Sequence, residues 1–279
     1  MACSEKNRIE VHGHRGYRGH YPENTLLGFH KAADLGVDVL ELDICISKDH
    51  QVVVSHEPYM NPIICELEEH DEDLQSADNT YNLYQMTYDE IRQYDCGSRS
   101  HPDFPAQQNI KSSKPLLKDV FEEINVSHPD MRYNIEIKAH PQMDGIFTPE
   151  PVVYVNLVLD LIRTYQLEQQ IILQSFDIRI LEEVFRRSKA LSLALLIDEN
   201  EDMISKLRSL SFEPEIISPH HILLNDNLVQ QLKTEGYRII PWTVNEKKDL
   251  QRMIRLGVDG IITDYPDRLF GLIDQDVKN

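Results

Sequence analysis

Residues 171–197 read IILQSFDIRILEEVFRRSKALSLALLI, and this stretch contains the pattern that decides the fold. Two short apolar runs, Ile171–Gln174 and Leu191–Leu196, are typical of buried strands. Between them, Ile178–Arg187 carries apolar residues at helical spacing. A strand, a helix and a second strand in this order predict a βαβ unit, in which the two strands run parallel.

The same alternation continues in both directions along the chain. Six further strands are predicted, at Ile9–His12, Val39–Ser47, Tyr133–Ile137, Ile216–Ser218, Arg238–Trp242 and Gly260–Thr263. The other helices are predicted at Thr25–Leu35, Pro115–Ile124, Pro151–Tyr165, Glu201–Ser209, Asp226–Glu235, Glu246–Leu256 and from Pro266 onward. Eight strand–helix units predict an α/β fold of the closed (β/α)8 or TIM-barrel class. The alternative is an open doubly wound sheet, but residues 12–16, HGHRG, lack its frequent GxGxxG fingerprint.

One long stretch, residues 57–114, interrupts the alternation. Before it, Val52–Ser55 is expected to return beside the second strand after the turn at residues 48–50. The stretch is rich in Asp, Asn, Pro and Gln, and a structureless loop of this length is rare in a compact domain. We therefore predict a single domain, residues 1–279, with a small insertion after strand two. Thr87–Asp95 is expected to form a helical turn or two within it.

Composition narrows the classes of partner. The 279 residues are 41% hydrophobic and 27% charged, as in an ordinary soluble globular protein. There are 28 Lys and Arg against 47 Asp and Glu, which gives a formal net charge of −19. Such a charge repels nucleic acid and anionic membranes, so a small-molecule substrate is expected and a stable membrane association is not. The sequence leaves the oligomeric state open.

The cysteines and the N-terminus say little about the compartment. Cys3, Cys45, Cys65 and Cys96 form no CxxC pair, and we expect free thiols. The first residues contain no apolar segment, so a cytoplasmic location is expected from the chain as given. A Cys followed by polar residues also remains after lipoprotein processing, so a periplasmic location stays open.

Carboxylates cluster where predicted strands end. Glu41 and Asp43 are two residues apart on strand two, so they project from the same face. Glu136 lies on the next parallel strand, with Lys138 two residues further on. Buried carboxylates need a compensating charge, and oxygen ligands suit one divalent cation, Mg²⁺ or Ca²⁺. The alternative is an ion-pair network of the same residues with Arg15 and without a metal.

Two histidines follow strands that open at the same end of the predicted barrel. His14 follows strand one, and His56 follows the returning segment. An imidazole pKa near 6.5 suits acid and base catalysis near neutrality. Arg15 and Lys138 add positive charge suited to a phosphate. Within so acidic a chain, a small phosphodiester with one negative charge remains an admissible substrate.

The blocks of sequence that carry these residues resemble, in order, the glycerophosphodiester phosphodiesterase family. They are HRG at 14–16, PENT at 22–25, ELD at 41–43, HE at 56–57, EIK at 136–138, QSFD at 174–177, PWTVN at 241–245 and GVDGIITDYP at 257–266. Together they span about residues 11–270. The family often has Asp after the second histidine, where this chain has Glu57.

The resemblance implies a (β/α)8 barrel with an insertion after strand two, which coincides with the irregular stretch at 57–114. It implies one divalent cation held by Glu41, Asp43 and Glu136. It also implies acid and base roles for His14 and His56, and phosphate binding by Arg15 and Lys138. We favour His14 as base and His56 as acid. The nucleophile is water or the neighbouring glycerol hydroxyl, which would give a cyclic phosphate first.

Four other residues at strand ends and loops receive an interpretation. Trp242 and Phe176 are expected to form a wall for the glycerol or the alcohol, with core packing as the alternative. Asp264 is expected to cap the last helix, and Asn24 to cap the first.

The implied reaction is metal-dependent hydrolysis of glycerophosphodiesters, such as glycerophosphocholine or glycerophosphoethanolamine, to glycerol 3-phosphate and an alcohol. The alternatives are phospholipase D-like or phospholipase C-like cleavage of lysolipids, or a phosphate-binding barrel that is not an enzyme. The acidic run at residues 66–73, ELEEHDED, favours a soluble, deacylated substrate over a membrane surface.

Overall fold

The computed structural model describes residues 8–66 and 81–276, and its centre is a barrel of eight parallel strands. These strands are β1 (Glu10–Gly13), β2 (Val39–Ile46), β4 (Arg132–Ile137), β5 (Ile171–Ser175), β6 (Ser192–Ile197), β7 (Ile216–Pro219), β8 (Arg238–Ile239) and β9 (Gly260–Thr263). The strand β3 (Val52–Val54) pairs antiparallel with β2, as the returning segment was expected to do. The acidic run at 66–73 lies outside the described residues except for Glu66.

Pairing around the sheet follows the order β8-β7-β6-β5-β4-β2-β1-β9. The first strand pairs in parallel with the last, His12 opposite Ile262. Backbone hydrogen bonds then join β9 to the β8 segment: Asp259 N donates to the Ile239 oxygen at 2.9 Å, and Ile262 N donates to the Pro241 oxygen at 3.0 Å. These bonds close the ring, and the predicted (β/α)8 barrel is confirmed.

Helices cover the outside of the barrel. They are α1 (Leu26–Leu35), α3 (Leu117–Ser127), α4 (Pro151–Tyr165), α5 (Ile178–Arg187), α6 (Met203–Arg208), α7 (Asp226–Thr234), α8 (Lys247–Leu256) and α9 (Pro266–Asp276). The main core lies between these helices and the strands, and a smaller cluster of Ile172, Ala194, Ile216, Ile240 and Ile262 fills the barrel interior. No helix within the described ranges is long and apolar enough to cross a membrane.

Two local predictions were wrong. The predicted strand Arg238–Trp242 was expected to extend to Trp242, but the regular part of β8 ends at Ile239, because Pro241 lacks the N–H that a central strand needs. The first helix was expected to be capped by Asn24, but the cap is Thr25, whose hydroxyl accepts the N–H of Gly28 at 3.1 Å. Asn24 has positive φ, 53°, and its side chain points to the barrel mouth instead.

The insertion has its own small core. It contains a 3-10 turn at Leu83–Gln85 and the one-turn helix α2 (Tyr88–Ile91), shorter than the predicted range. Its buried side chains pack with Cys45 of β2 and Val53 of β3. Within this core Cys65 and Cys96 form a disulfide. The prediction of free thiols was therefore wrong for this pair, while Cys45 is free and buried.

Candidate active site

The loop between β1 and α1 places the first group of functional side chains. Gly16 has φ of 89°, and a Cβ there would lie 2.8 Å from the backbone of Gly28. This close approach holds the loop against the start of α1. Arg15 also has positive φ, 50°, and its N–H donates to Glu41 Oε2 at 2.9 Å. The backbone of the loop thus contacts the carboxylates of β2 directly.

Three carboxylates converge at the mouth of the barrel. Glu41 and Asp43 share the inner face of β2, and Asp43 lies opposite Glu136 in the β2–β4 register. All three side chains are buried. One oxygen of each lies within 4.8 Å of the others, so the three form a group that could hold a metal ion.

The three carboxylates differ in their partners. Asp43 has two cationic neighbours, Lys138 Nζ at 3.0 Å and Arg15 Nε at 3.3 Å. Glu136 shares Lys138 Nζ at 2.7 Å. Glu41 receives neutral donors only, the Arg15 N–H and the Gln174 amide at 2.9 Å. Two cationic side chains, Arg15 and Lys138, are therefore shared among three buried carboxylates.

This imbalance appears in their pKa values. Burial and the neighbouring Asp43 raise the pKa of Glu41 well above its ordinary value. Burial also raises the pKa of Glu136, against the opposing effect of Lys138. Burial acts to raise the pKa of Asp43 too, but Lys138 and Arg15 outweigh it and lower that pKa. A hard divalent cation would supply the missing positive charge, and an all-oxygen donor set fits it.

His14 lies beside this cluster, in a fixed orientation. Its Nδ1 is 2.6 Å from Asp264 Oδ1, and its Nε2 is 4.0 Å from Glu41 Oε2. Although burial acts to raise the pKa of Asp264, His14 and Arg18 lower it to about 2, so the carboxylate is ionised. It therefore accepts the Nδ1–H of His14 and leaves the Nε2 lone pair facing the mouth. Burial lowers the pKa of His14, which favours the neutral ring.

The expectation that Asp264 caps the last helix was wrong. Its two carboxylate oxygens contact His14 Nδ1 and the Asn245 amide, at 2.6 Å each. The contact arises because β9 closes the barrel beside β1, 250 positions away in sequence. The sequence signal that could have indicated the Asp264–His14 contact is the position of Asp264 directly after the last strand.

His56 has a matching acidic partner. Its Nδ1 is 2.8 Å from Glu57 Oε1, and its side chain is 32% exposed. Burial raises the pKa of Glu57, but the hydrogen bond and the charge of His56 outweigh it and lower that pKa to about 2. The ionised Glu57 orients the ring, so Nε2 is the nitrogen left for substrate.

A cavity of about 170 Å³ joins these groups. It is lined by every residue predicted for the site except Asp43, namely His14, Arg15, Glu41, His56, Glu136, Lys138, Phe176 and Trp242. The Phe176 and Trp242 rings meet edge to face, with centroids 5.4 Å apart. Trp242 Nε1 donates to the Ser218 oxygen at 2.8 Å, which fixes the indole. The two rings form the apolar wall of the cavity.

Arg18 also lines the cavity, although no role was predicted for it from the sequence. Its Nε lies 2.5 Å from Glu23 Oε2, and its guanidinium stacks on Phe104 of the insertion, 4.5 Å from the ring centroid. Glu23 also accepts from Arg15 Nη1 at 2.8 Å. The one sequence signal for a role of Arg18 in the cavity is its position, three residues after Arg15 in the same loop.

Comparison with known proteins places this site in a family. The sequence pattern of the glycerophosphoryl diester phosphodiesterase family matches residues 14–268. The chain belongs to this family. It is thus an enzyme of the phosphodiesterase class, and the predicted resemblance is confirmed.

Three proteins illustrate the likeness. A glycerophosphodiester phosphodiesterase of Caldanaerobacter subterraneus is 31% identical, with 94% of this chain and 97% of the relative covered. A crystal structure of a putative glycerophosphoryl diester phosphodiesterase from Silicibacter pomeroyi is 28% identical with a TM-score of 0.86, covering 97% of this chain and 95% of that one. A lysophospholipase D of Rattus norvegicus is 27% identical, over 92% of this chain and 83% of the relative.

Proposed function

We propose that the protein hydrolyses glycerophosphodiesters, such as glycerophosphocholine or glycerophosphoethanolamine, to glycerol 3-phosphate and an alcohol. The observation that carries the proposal is one cavity lined by His14 and His56 and by Glu41 and Glu136 of the buried carboxylate cluster. Family membership supports the reaction class. The relatives' names, a glycerophosphodiester phosphodiesterase and a lysophospholipase D, support a substrate built on glycerol phosphate.

Glu41, Asp43 and Glu136 would hold one divalent cation, Mg²⁺ or Ca²⁺. When bound, this cation neutralises charge that builds on the phosphate oxygens and lowers the barrier to attack. Arg15 and Lys138 border the same cavity and add positive charge next to the phosphate. Both are already paired with carboxylates, so their charges are held in place before substrate arrives.

The histidines would move the protons. His14 is neutral with Nε2 free, so it acts as the base that takes a proton from the nucleophile. His56, with its Nδ1 on the ionised Glu57, would donate a proton from Nε2 to the leaving alcohol oxygen. The nucleophile is water or the neighbouring glycerol hydroxyl. In the second case a cyclic phosphate forms and water opens it.

Phe176 and Trp242 would hold the carbon skeleton of the substrate. Both rings line the cavity and would exclude water from the bound substrate. A substrate bound between the rings and the carboxylates would place its phosphate next to Arg15 and Lys138.

The test is release of glycerol 3-phosphate from glycerophosphocholine and glycerophosphoethanolamine by purified protein with Mg²⁺, with Ca²⁺ and with EDTA. We expect release with at least one metal and none with EDTA. Release that is unchanged in EDTA would contradict the metal role. No release with either metal, from folded protein, would contradict the substrate assignment.

A second substrate class has one specific observation in its favour, the 27% identity to the lysophospholipase D of Rattus norvegicus. Lysophosphatidylcholine would then be cleaved on the same side of the phosphate, with release of choline. The same assay, run with lysophosphatidylcholine and read as choline release, compares the two classes. A higher kcat/KM for the lysolipid would make it the preferred substrate.

A further inference from the structure

A groove lies beside the catalytic cavity and shares the Phe176 side chain with it. It has a volume of about 440 Å³, and Phe176 lines both spaces. The groove is formed by the segments that follow β4, β5 and β6, with walls that include Ala139, Pro141, Ile178, Asp202 and Lys206. None of these wall residues takes part in the proposed chemistry.

The catalytic cavity is too small to enclose a whole diester. Its volume is about 170 Å³, whereas sites that enclose a small-molecule ligand usually measure about 300–1,000 Å³. A bound diester therefore extends beyond the cavity once the phosphate has reached the cations. The groove adjoins the cavity at Phe176 and offers room for the remaining arm of the substrate.

The two spaces hold different sets of charged side chains. The catalytic cavity has three cations on its walls, Arg15, Arg18 and Lys138, beside the carboxylates Glu41 and Glu136. The groove has three carboxylates, Asp177, Glu201 and Asp202, against one lysine, Lys206. Arg179 pairs with Asp177 at 2.6 Å and Lys206 with Glu201 at 2.6 Å, which leaves Asp202 without a cationic partner among the groove residues. The three cations of the cavity suit the phosphate of a diester, and the carboxylates of the groove suit an ammonium at its other end.

The wall between the two spaces already accepts a cation. Lys206 Nζ lies 5.4 Å from the centroid of the Phe176 ring, within range of a cation–π interaction. The Lys206 side chain is only 12% exposed and depends on Glu201 for its counter-charge. This face of Phe176 therefore has both elements of an ammonium site, an aromatic ring and a nearby carboxylate.

We propose that the groove binds the alcohol arm of the diester and selects an arm with a positive charge, such as choline or ethanolamine. The inference rests on the proposed function, because it assigns one part of that substrate. Lys206 competes with the ligand cation for Phe176 and Glu201. Glu201 and Lys206 should therefore affect selectivity in opposite directions, although they contact each other.

The experiment measures kcat/KM for glycerophosphocholine and for glycerophosphoglycerol, whose arm is neutral, and follows their ratio. Glu201→Gln is expected to lower the choline-to-glycerol ratio by about 3-fold to 10-fold, and Lys206→Met to raise it by a similar factor. Phe176→Leu, which keeps an apolar side chain but removes the ring, is expected to lower the ratio. Loss of the Glu201–Lys206 pair as a purely structural contact would change both variants in the same direction.

Matched controls are Glu213→Gln and Lys118→Met, two exposed residues that do not line the groove, whose ratios should equal that of the wild type. Ratios that stay at the wild-type value in Glu201→Gln and Lys206→Met, or that move in the same direction, overturn the inference and leave the proposed function intact. Cleavage of neither diester by the folded wild type refutes the proposed function and this inference with it.

Discussion

Both ends of the barrel contain charged side chains, but the ratio of cations to carboxylates differs between the two ends. At the floor, where the strands begin, Glu10 accepts from Arg132 Nη1 and Arg238 Nη2, each at 2.8 Å. His12 Nε2 lies 3.3 Å from the same carboxylate. At the mouth, where the strands end, three carboxylates share two cations.

The pKa values show what this difference does. Burial acts to raise the pKa of Glu10, but its His and Arg partners outweigh it and lower that pKa to about 2. At the mouth, burial raises the pKa values of Glu41 and Glu136. The floor is balanced and stabilises the fold, whereas the mouth keeps a negative excess that a ligand must compensate. Functional residues are recognised by this excess, since buried charge alone occurs at both ends.

The largest effect is expected from Glu136→Gln. Loss of this carboxylate should lower glycerol 3-phosphate release by about 10³-fold, because the proposed cation site would lose one of its three oxygen ligands. In EDTA the same variant should be at least as stable as the wild type, since repulsion with Asp43 is relieved. Activity assays and thermal unfolding in EDTA test this. A variant that is much less stable in EDTA would assign Glu136 a structural role.

His14→Ala and His56→Ala should each lower kcat by at least about 10²-fold with the fold intact. Each removes one of the two proposed proton-transfer groups while the carboxylates remain. His30→Asn is the matched control, because His30 lies on α1 away from the cavity. Near-normal turnover in both alanine variants would exclude acid–base catalysis by this pair.

A smaller effect, roughly 10-fold to 100-fold on kcat/KM, is expected for Asp264→Asn, because Asp264 acts by orienting His14. The Asn amide can present an N–H to His14 Nδ1, which would favour the wrong tautomer. Asp264 raises the pKa of His14, so its loss should lower that pKa further. The fall in kcat/KM at acid pH, where His14 takes up a proton, should then begin at a lower pH. If kcat/KM falls at the same acid pH in Asp264→Asn as in the wild type, Asp264 does not tune the pKa of His14 and has only a packing role.

The smallest effect on catalysis is expected at the floor. Glu10→Gln should leave kcat unchanged and lower the free energy of unfolding by about 1–2 kcal/mol at pH 7, since Glu10 is partly solvated. Because folding lowers the pKa of Glu10 from 4.5 to about 2, its contribution is complete above pH 4.5 and is lost as the pH falls towards 2. Urea unfolding of both proteins at pH 7 and pH 3.5 tests this. A difference that does not shrink at pH 3.5 would contradict it.

Much of the mouth could be predicted from the sequence because strand periodicity is local. The two-residue spacing of Glu41 and Asp43 fixes their common face, and regular alternation of strands and helices places Glu136 beside them. The barrel itself follows from the same alternation.

Contacts that depend on closure of the barrel or on loop conformation could not be predicted in this way. The Asp264–His14 pair requires the register between β1 and β9. The stacking of Arg18 on Phe104 and the Cys65–Cys96 disulfide depend on how the insertion folds back over the mouth. No periodicity in the sequence encodes these distances. The end of the strand β8 could not be predicted either, because it depends on one proline, Pro241.

The most direct test of the central claim, that the mouth holds a divalent cation and the floor does not, is calorimetric titration of the metal-free protein. Ca²⁺ and Mg²⁺ are titrated into the wild type, Glu136→Gln and Glu10→Gln. We predict that the wild type and Glu10→Gln bind one ion per chain with equal affinity, and that Glu136→Gln binds at least about 10-fold more weakly. Equal binding by all three proteins, or no binding by the wild type, would contradict the account.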